Sequence, residues 1–162
     1  MSLAAFEPKV LVLAQDLRAR GLRIASAESC TGGLIAAACT AVAGASDWFE
    51  RGFVTYSNAA KVELLGVDET LLQAHGAVSE AVACAMADGA LQRAPVQRAI
   101  AVTGIAGPGG AVPGKPVGTV WLALACSDAP TQAWCLQLQG DRAAVREAAV
   151  HAALQALRQG LR

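Results

Sequence analysis

Two hydrophobic periods share this chain, one helical and one alternating. From Pro8, apolar residues at Val10, Leu11, Leu13, Ala14 and Leu17 keep helical spacing, and Gly21 offers a C-terminal stop, which predicts a helix over 8–20. Residues 22–27 read as a short apolar strand. Ser29-Cys30-Thr31-Gly32-Gly33 then reads as a turn that opens an alanine-rich helix ending near Gly44. Residues 49–56 mix aromatic and β-branched types in rough alternation, which predicts a strand. Ser57 or Asn58 is suited to cap a helix with Lys61 in its first turns.

Further helices are predicted over 69–74 and over 79–91, with Gly66 and Gly76 between segments and Ser79 as a natural N-cap. Three strands follow at 98–105, 118–125 and 133–138. Asp141 caps a last helix that carries Ala144, Val145, Ala148, Leu154 and Leu157 along one face. Strands interleaved with helices in this order predict an α/β fold, a three-layer α/β/α sandwich with a mixed β-sheet, folded as one domain over residues 1–162.

Composition narrows the classes of function. The 162 residues are 54% hydrophobic, enough to close a core without a metal or disulfide staple. Thirteen Lys and Arg balance thirteen Asp and Glu, so no broad basic surface for nucleic acid or an anionic membrane is expected. An anionic ligand must be met locally. Low charge and zero net charge predict association into a homo-oligomer. Five cysteines without C-x-x-C spacing argue against a disulfide framework or a zinc site. The run 34–45 is too short to span a bilayer and the N-terminus has no secretory pattern, so a cytoplasmic protein is expected.

Three polar clusters stand out against this apolar background. At Glu28 to Gly33, a strand hands over to a helix, where unpaired backbone N–H groups can hold a phosphate or a developing oxyanion. The alternative is that Ser29 or Thr31 merely caps the helix. At Tyr56 to Lys61, a strand end and a first helical turn bring a phenol and an amine near each other. A serine nucleophile needs a proton acceptor, and neither His75 nor His151, both in or beside apolar helical segments, is well placed to serve. Lys61 can serve if burial holds it neutral; otherwise it is a solvated helix lysine. The third cluster, Thr103 to Gly110, runs from a strand end into a glycine-rich loop able to form a concave anion or ribose site, or simply a surface loop. It fits neither the Walker spacing nor a dinucleotide fingerprint. Lys115 and Arg142 are candidate phosphate partners.

Taken in order, Ala27 to Gly33, Val54 to Asn58 with Lys61, His75 to Ser79, Thr103 to Gly110 and Pro116 to Val120 resemble the CinA C-terminal domain family. The resemblance covers nearly the whole chain. It implies an amidase that converts nicotinamide mononucleotide to nicotinic acid mononucleotide and ammonia, with no cofactor and no catalytic metal. Carried over by motif, Ser29 is the implied nucleophile and Tyr56 and Lys61 its proton-handling partners. At the strand–helix junction, backbone N–H groups of Cys30, Thr31, Gly32 and Gly33 are the expected oxyanion donors. Thr103, Gly104, Gly107, Gly109, Gly110 and Arg142 bind the substrate, a small-molecule nucleotide. Many relatives carry two glycines where this chain has Arg51-Gly52-Phe53, which puts a changed strand start and pocket wall in prospect. Larger family members also carry an N-terminal domain absent from this sequence.

Two rivals stay open at this point. Cys30 at a helix N-terminus could itself be the nucleophile, if its pKa is depressed there. Alternatively the chain binds pyridine nucleotides without cleaving them. A structural role in DNA uptake finds no support in the charge balance.

Overall fold

In the computed structural model, which describes residues 2–161, a five-stranded mixed sheet lies between two helical layers. The elements run α1 (Glu7–Arg20), β1 (Ile24–Glu28), α2 (Leu34–Thr40), β2 (Phe49–Val54), α3 (Asn58–Leu65), α4 (Glu69–His75) and α5 (Glu80–Arg93). They continue with β3 (Arg98–Gly104), β4 (Thr119–Cys126), β5 (Ala129–Gln137) and α6 (Arg142–Gln159). The strand order is β2-β1-β3-β4-β5, with β1 parallel to both its neighbours and the rest antiparallel.

Every element predicted from the pattern is present, and the differences lie at the ends. Helix α2 stops at Thr40 and a separate 3-10 turn occupies Ala45–Asp47, so the alanine run is shorter as a helix than its propensity suggested. Strand β5 begins at Ala129, ahead of the predicted start, because its pairing with β4 reaches back to Ala129 opposite Cys126. Those first residues lie on an exposed edge and carry no apolar alternation to reveal them. Strand β2 ends at Val54. The Thr55 N–H still donates to the Glu28 carbonyl, and Ser57, not Asn58, caps α3 by accepting from the Ala60 N–H.

The two faces of the sheet are packed differently. Ile24, Ile100, Val102, Val120, Leu122 and Leu124 point toward the layer of α1, α2 and α6, where they join Leu13, Leu17, Val150 and Leu154 in one buried cluster. Each such side chain contributes about 1.5–3 kcal/mol on burial. On the other face Ala27, Ala99, Ala101, Ala123 and Ala125 are small, and α5 lies against them through Ala83, Met86, Ala87 and Ala90. Helix α3 is drawn in as well: a Cβ at Gly89 of α5 would stand 2.2 Å from the Leu65 carbonyl oxygen at the end of α3.

Strand alternation decides what faces what. Residues i and i+2 share a face, so Ile24, Ser26 and Glu28 project toward α2. Ala25, Ala27 and the residue just past the strand, Ser29, project toward α3 and α5. The C-terminal ends of β1, β2 and β3 gather on one rim of the sheet, which is where all three polar clusters arrive. No described helix is long and apolar enough to cross a membrane.

Candidate active site

Ser29 extends β1 by one ladder bond, its N–H donating to the Val102 carbonyl at 2.9 Å, and this fixes where the hydroxyl points. Lys61 comes from the first turns of α3 and is 1% exposed. Its Nζ stands 3.1 Å from Ser29 Oγ and 2.8 Å from the Thr55 carbonyl oxygen. Burial pushes the amine below the ordinary lysine range, and a weaker influence of the Cys30 thiol opposes it. Among the described residues no carboxylate forms an ion pair with Lys61. A neutral amine in this position donates to Thr55 O and turns its lone pair to the Ser29 O–H. The two groups are within hydrogen-bond reach, and burial favours the neutral form that a lysine base requires.

The turn after Ser29 owes its shape to Gly32 and Gly33, at φ +59° and +95°, a region closed in practice to residues with a Cβ. Neither Ser29 nor Thr31 caps α2. That work falls to Glu28, wholly buried, whose Oε2 accepts the amides of Gly33 and Ile35 at 3.0 Å each and whose Oε1 accepts Ala36 N–H at 2.9 Å and the Ser26 hydroxyl at 3.1 Å. The expectation that amides from Cys30 to Gly33 are all open to an oxyanion is therefore corrected. Gly33 N–H is held by Glu28 and Gly32 N–H donates to Ser29 O at 3.0 Å. Cys30 and Thr31 remain: among the described residues neither amide donates to the backbone or side chain of another residue.

Cys30 is 6% exposed and burial pushes its thiol up to about 11, the reverse of the activation a nucleophilic thiol at this turn would require. The expected depression is absent because desolvation outweighs the thiol's own backbone hydrogen bond and the pull of the Arg146 guanidinium.

Tyr56 is 60% exposed and does not bond to Lys61; its hydroxyl accepts from Arg142 Nη2 at 2.8 Å. Arg142, the first residue of α6, also donates through Nη1 to the Gly107 carbonyl at 2.8 Å, so one guanidinium ties Tyr56 to the glycine-rich loop. Lys115 sits apart from this pair, its Nζ on the His75 carbonyl at 2.9 Å. Thr103 is sealed in, donating its proton to the Ala77 carbonyl at 2.9 Å. Gly104 is a packing glycine: a Cβ there would lie 2.6 Å from Val120 Cγ2. Gly107 and Gly110 take positive φ, of +81° and +92°, while Gly109 is open to solvent. Arg51, the departure noted above, pairs with Glu50 and with the Arg93 carbonyl at the end of α5, and so lies away from the Ser29 rim.

Two further residues shape this turn, and the sequence does not single them out. For Glu28 the one signal is a lone acid closing an otherwise uncharged buried strand. Arg146 had none beyond standing one helical turn from Arg142, yet its Nε and Nη2 donate to the carbonyls of Cys30 and Thr31 at 3.1 and 2.9 Å. Clefts of about 340 and 200 Å³ along α6 hold none of these groups and lack a nucleophile paired to a base. Among the described residues no three His, Cys, Asp or Glu side chains gather to hold a metal ion.

The family model for the CinA C-terminal domain matches residues 7–161. The chain belongs to the CinA C-terminal domain family. It is 52% identical over 143 residues to a protein of Shigella flexneri named nicotinamide-nucleotide amidohydrolase PncC, covering 88% of this chain and 87% of that one. It is 54% identical over 141 residues to a CinA-like protein of Mycolicibacterium gilvum, of whose length it spans 33%. Among solved structures, the competence/damage inducible protein CihA of Agrobacterium tumefaciens superposes with a TM-score of 0.92 at 44% identity, over 95% of this chain and 94% of that one. The CinA-domain sandwich and its sheet order are thus those of a family with solved members.

Proposed function

We propose that this CinA-domain protein hydrolyses the carboxamide of nicotinamide mononucleotide, releasing ammonia and nicotinic acid mononucleotide, with Ser29 as nucleophile. The observation that carries the reading is the buried, depressed Lys61 amine 3.1 Å from Ser29 Oγ. The relatives named nicotinamide-nucleotide amidohydrolase supply the substrate class.

Lys61 takes the Ser29 proton as Oγ bonds to the carboxamide carbon, and the carbonyl π electrons move onto oxygen. The oxyanion lies against the N–H groups of Cys30 and Thr31. Collapse re-forms the carbonyl and breaks the C–N bond, the Lys61 ammonium returning its proton to the departing nitrogen as ammonia. Water, deprotonated by the same amine, adds to the ester carbonyl; collapse breaks the bond to Oγ, the Lys61 ammonium returns the proton to Ser29, and the acid product leaves as its carboxylate. Arg142 takes the phosphate, with Tyr56 holding the guanidinium; Tyr56 has no direct part in proton transfer. No cofactor enters these steps.

Ammonia release is measured with nicotinamide mononucleotide beside nicotinamide, its riboside and the dinucleotide. The mononucleotide is expected to be preferred, and Ser29→Ala to lose about 10⁴–10⁶ in kcat, as other serine nucleophiles do. Binding of the mononucleotide with no ammonia at any pH would instead favour a non-catalytic module.

A further inference from the structure

Arg146 spends two donors on backbone carbonyls of the turn that follows Ser29. A trans peptide sets the C=O of one residue antiparallel to the N–H of the next. Drawing the Cys30 carbonyl toward α6 therefore turns the Thr31 N–H the opposite way, toward the layer that holds α3 and Lys61. Drawing the Thr31 carbonyl the same way directs the Gly32 N–H away from α6, where it meets the Ser29 carbonyl at 3.0 Å and closes the turn. A charge-assisted bond on a carbonyl also polarises the whole peptide unit, which strengthens the N–H on its far end.

We propose that Arg146 is a positioning residue for amide hydrolysis: its guanidinium fixes and polarises the Cys30–Thr31 peptide so that the Thr31 N–H receives the oxygen on which charge develops. The inference rests on the serine mechanism above. It separates two arginines that the sequence presents as equivalent neighbours on α6. Arg142 is exposed and reaches Tyr56 and the glycine-rich loop. Arg146 is half-buried, and a Cβ at Gly32 would lie 3.6 Å from its Nη2, so it backs the turn and does not offer itself to a distant phosphate.

Steady-state ammonia release by the full chain tests this with Arg146→Ala, Arg146→Lys and Arg142→Ala. Arg146→Ala is expected to lose about 10- to 100-fold in kcat, less than the 10²–10³ of deleting an oxyanion donor outright, with KM for the mononucleotide unchanged. Added guanidinium ion restores part of that rate, which it would not do for a loosened fold. Arg146→Lys keeps the charge but lacks the rigid planar fork that sets one nitrogen on each carbonyl, and recovers only part of kcat. Arg142→Ala shows the contrasting pattern, a raised KM for the mononucleotide.

Three results overturn the inference while leaving the amidase reading intact: Arg146→Ala with parental kcat, Arg146→Ala with raised KM alone, or Arg146→Lys with full kcat. The lysine variant decides the matter if the alanine variant does not fold. A parent protein that releases no ammonia from the mononucleotide would remove the amidase reading itself, and the inference with it.

Discussion

Replacing Glu28 separates the charge of its carboxylate from its shape. The side chain is fully buried and accepts three amides, those of Gly33, Ile35 and Ala36, together with the Ser26 hydroxyl. In Glu28→Ala those amides lose their acceptor at once. Ile35 is buried, whereas Gly33 and Ala36 are half-buried and water meets part of their need. The expected cost is therefore about 4 kcal/mol, from about 1–3 for the stranded buried donor of Ile35 with smaller amounts for the half-buried amides and the space left by the side chain.

Glu28→Gln keeps the packing and one carbonyl oxygen. Turned toward Gly33 and Ile35, that oxygen retains two bonds. Its NH₂ group then faces Ser26 Oγ, which can rotate to accept, and the Ala36 N–H, which cannot. One donor is stranded, at about 2 kcal/mol. Since 1 kcal/mol moves Tm by about 2–4 °C in a chain of this size, the expected falls are about 4–8 °C for glutamine and about 8–16 °C for alanine. Thermal unfolding followed by far-UV circular dichroism reads both. The reasoning is refuted if glutamine melts with the parent, or if it falls as far as alanine.

Other perturbations address the base, the thiol and the packing behind the site. The neutral Lys61 amine is the active form, so kcat/KM is expected to rise with pH through a midpoint below the ordinary lysine value of 10.5; a profile that falls over that range would remove Lys61 as the base. The sign for stability is the same. The folded-state pKa is depressed, so the unfolded chain binds the extra proton, and the destabilisation present below the folded pKa is relieved as pH rises toward the unfolded value. Urea unfolding of the parent and of Lys61→Met across pH isolates this dependence, which the methionine variant is expected to lack. Cys30→Ala is expected to keep parental kcat, since its thiol is raised to about 11 and carries no step; loss of rate in a normally folded variant would reopen the thiol route. Gly89→Ala places a Cβ against the Leu65 carbonyl, and is expected to cost about 1–3 kcal/mol by overpacking and to lower kcat by shifting α3 and its lysine. An unchanged kcat in that variant would mean that the Lys61 position does not depend on the α3–α5 contact.

The sequence was informative where burial is regular and silent where it is not. Short runs of small and apolar residues within Ile24–Glu28 and Arg98–Gly104 mark β1 and β3 because both faces of these strands are covered. The first half of β5 has no such pattern, since an exposed edge needs none. Ser29 and Thr31 are the local candidates for the cap of α2, but the carboxylate that performs it lies on the preceding strand and reaches amides five to eight residues ahead. Lys61 stands in a short helix whose residues give no sign that an amine is sealed; its burial comes from α3 meeting the end of β1, a contact between distant segments. Arg142 and Arg146 look alike as helix charges, and only the loops packed against α6 tell them apart. Periodicity carries the elements, whereas the chemistry is legible only in the ordered motifs and the family resemblance they carry.

What holds the site together is the alternation of one strand. Glu28 and Ser29 are adjacent, so they face opposite layers, and the carboxylate organises α2 while the hydroxyl meets Lys61. The separation is chemical as well as spatial. A carboxylate beside the Lys61 amine would hold its proton and raise its pKa, undoing what burial achieves. With Glu28 turned to the other face and engaged by amides, no carboxylate among the described residues acts on that amine, and burial sets the direction of its shift against the smaller opposing pull of Cys30. A slip of one residue in the β1 register would exchange the two groups. The lysine would then be a paired cation, and the serine would lie under α2 without a base.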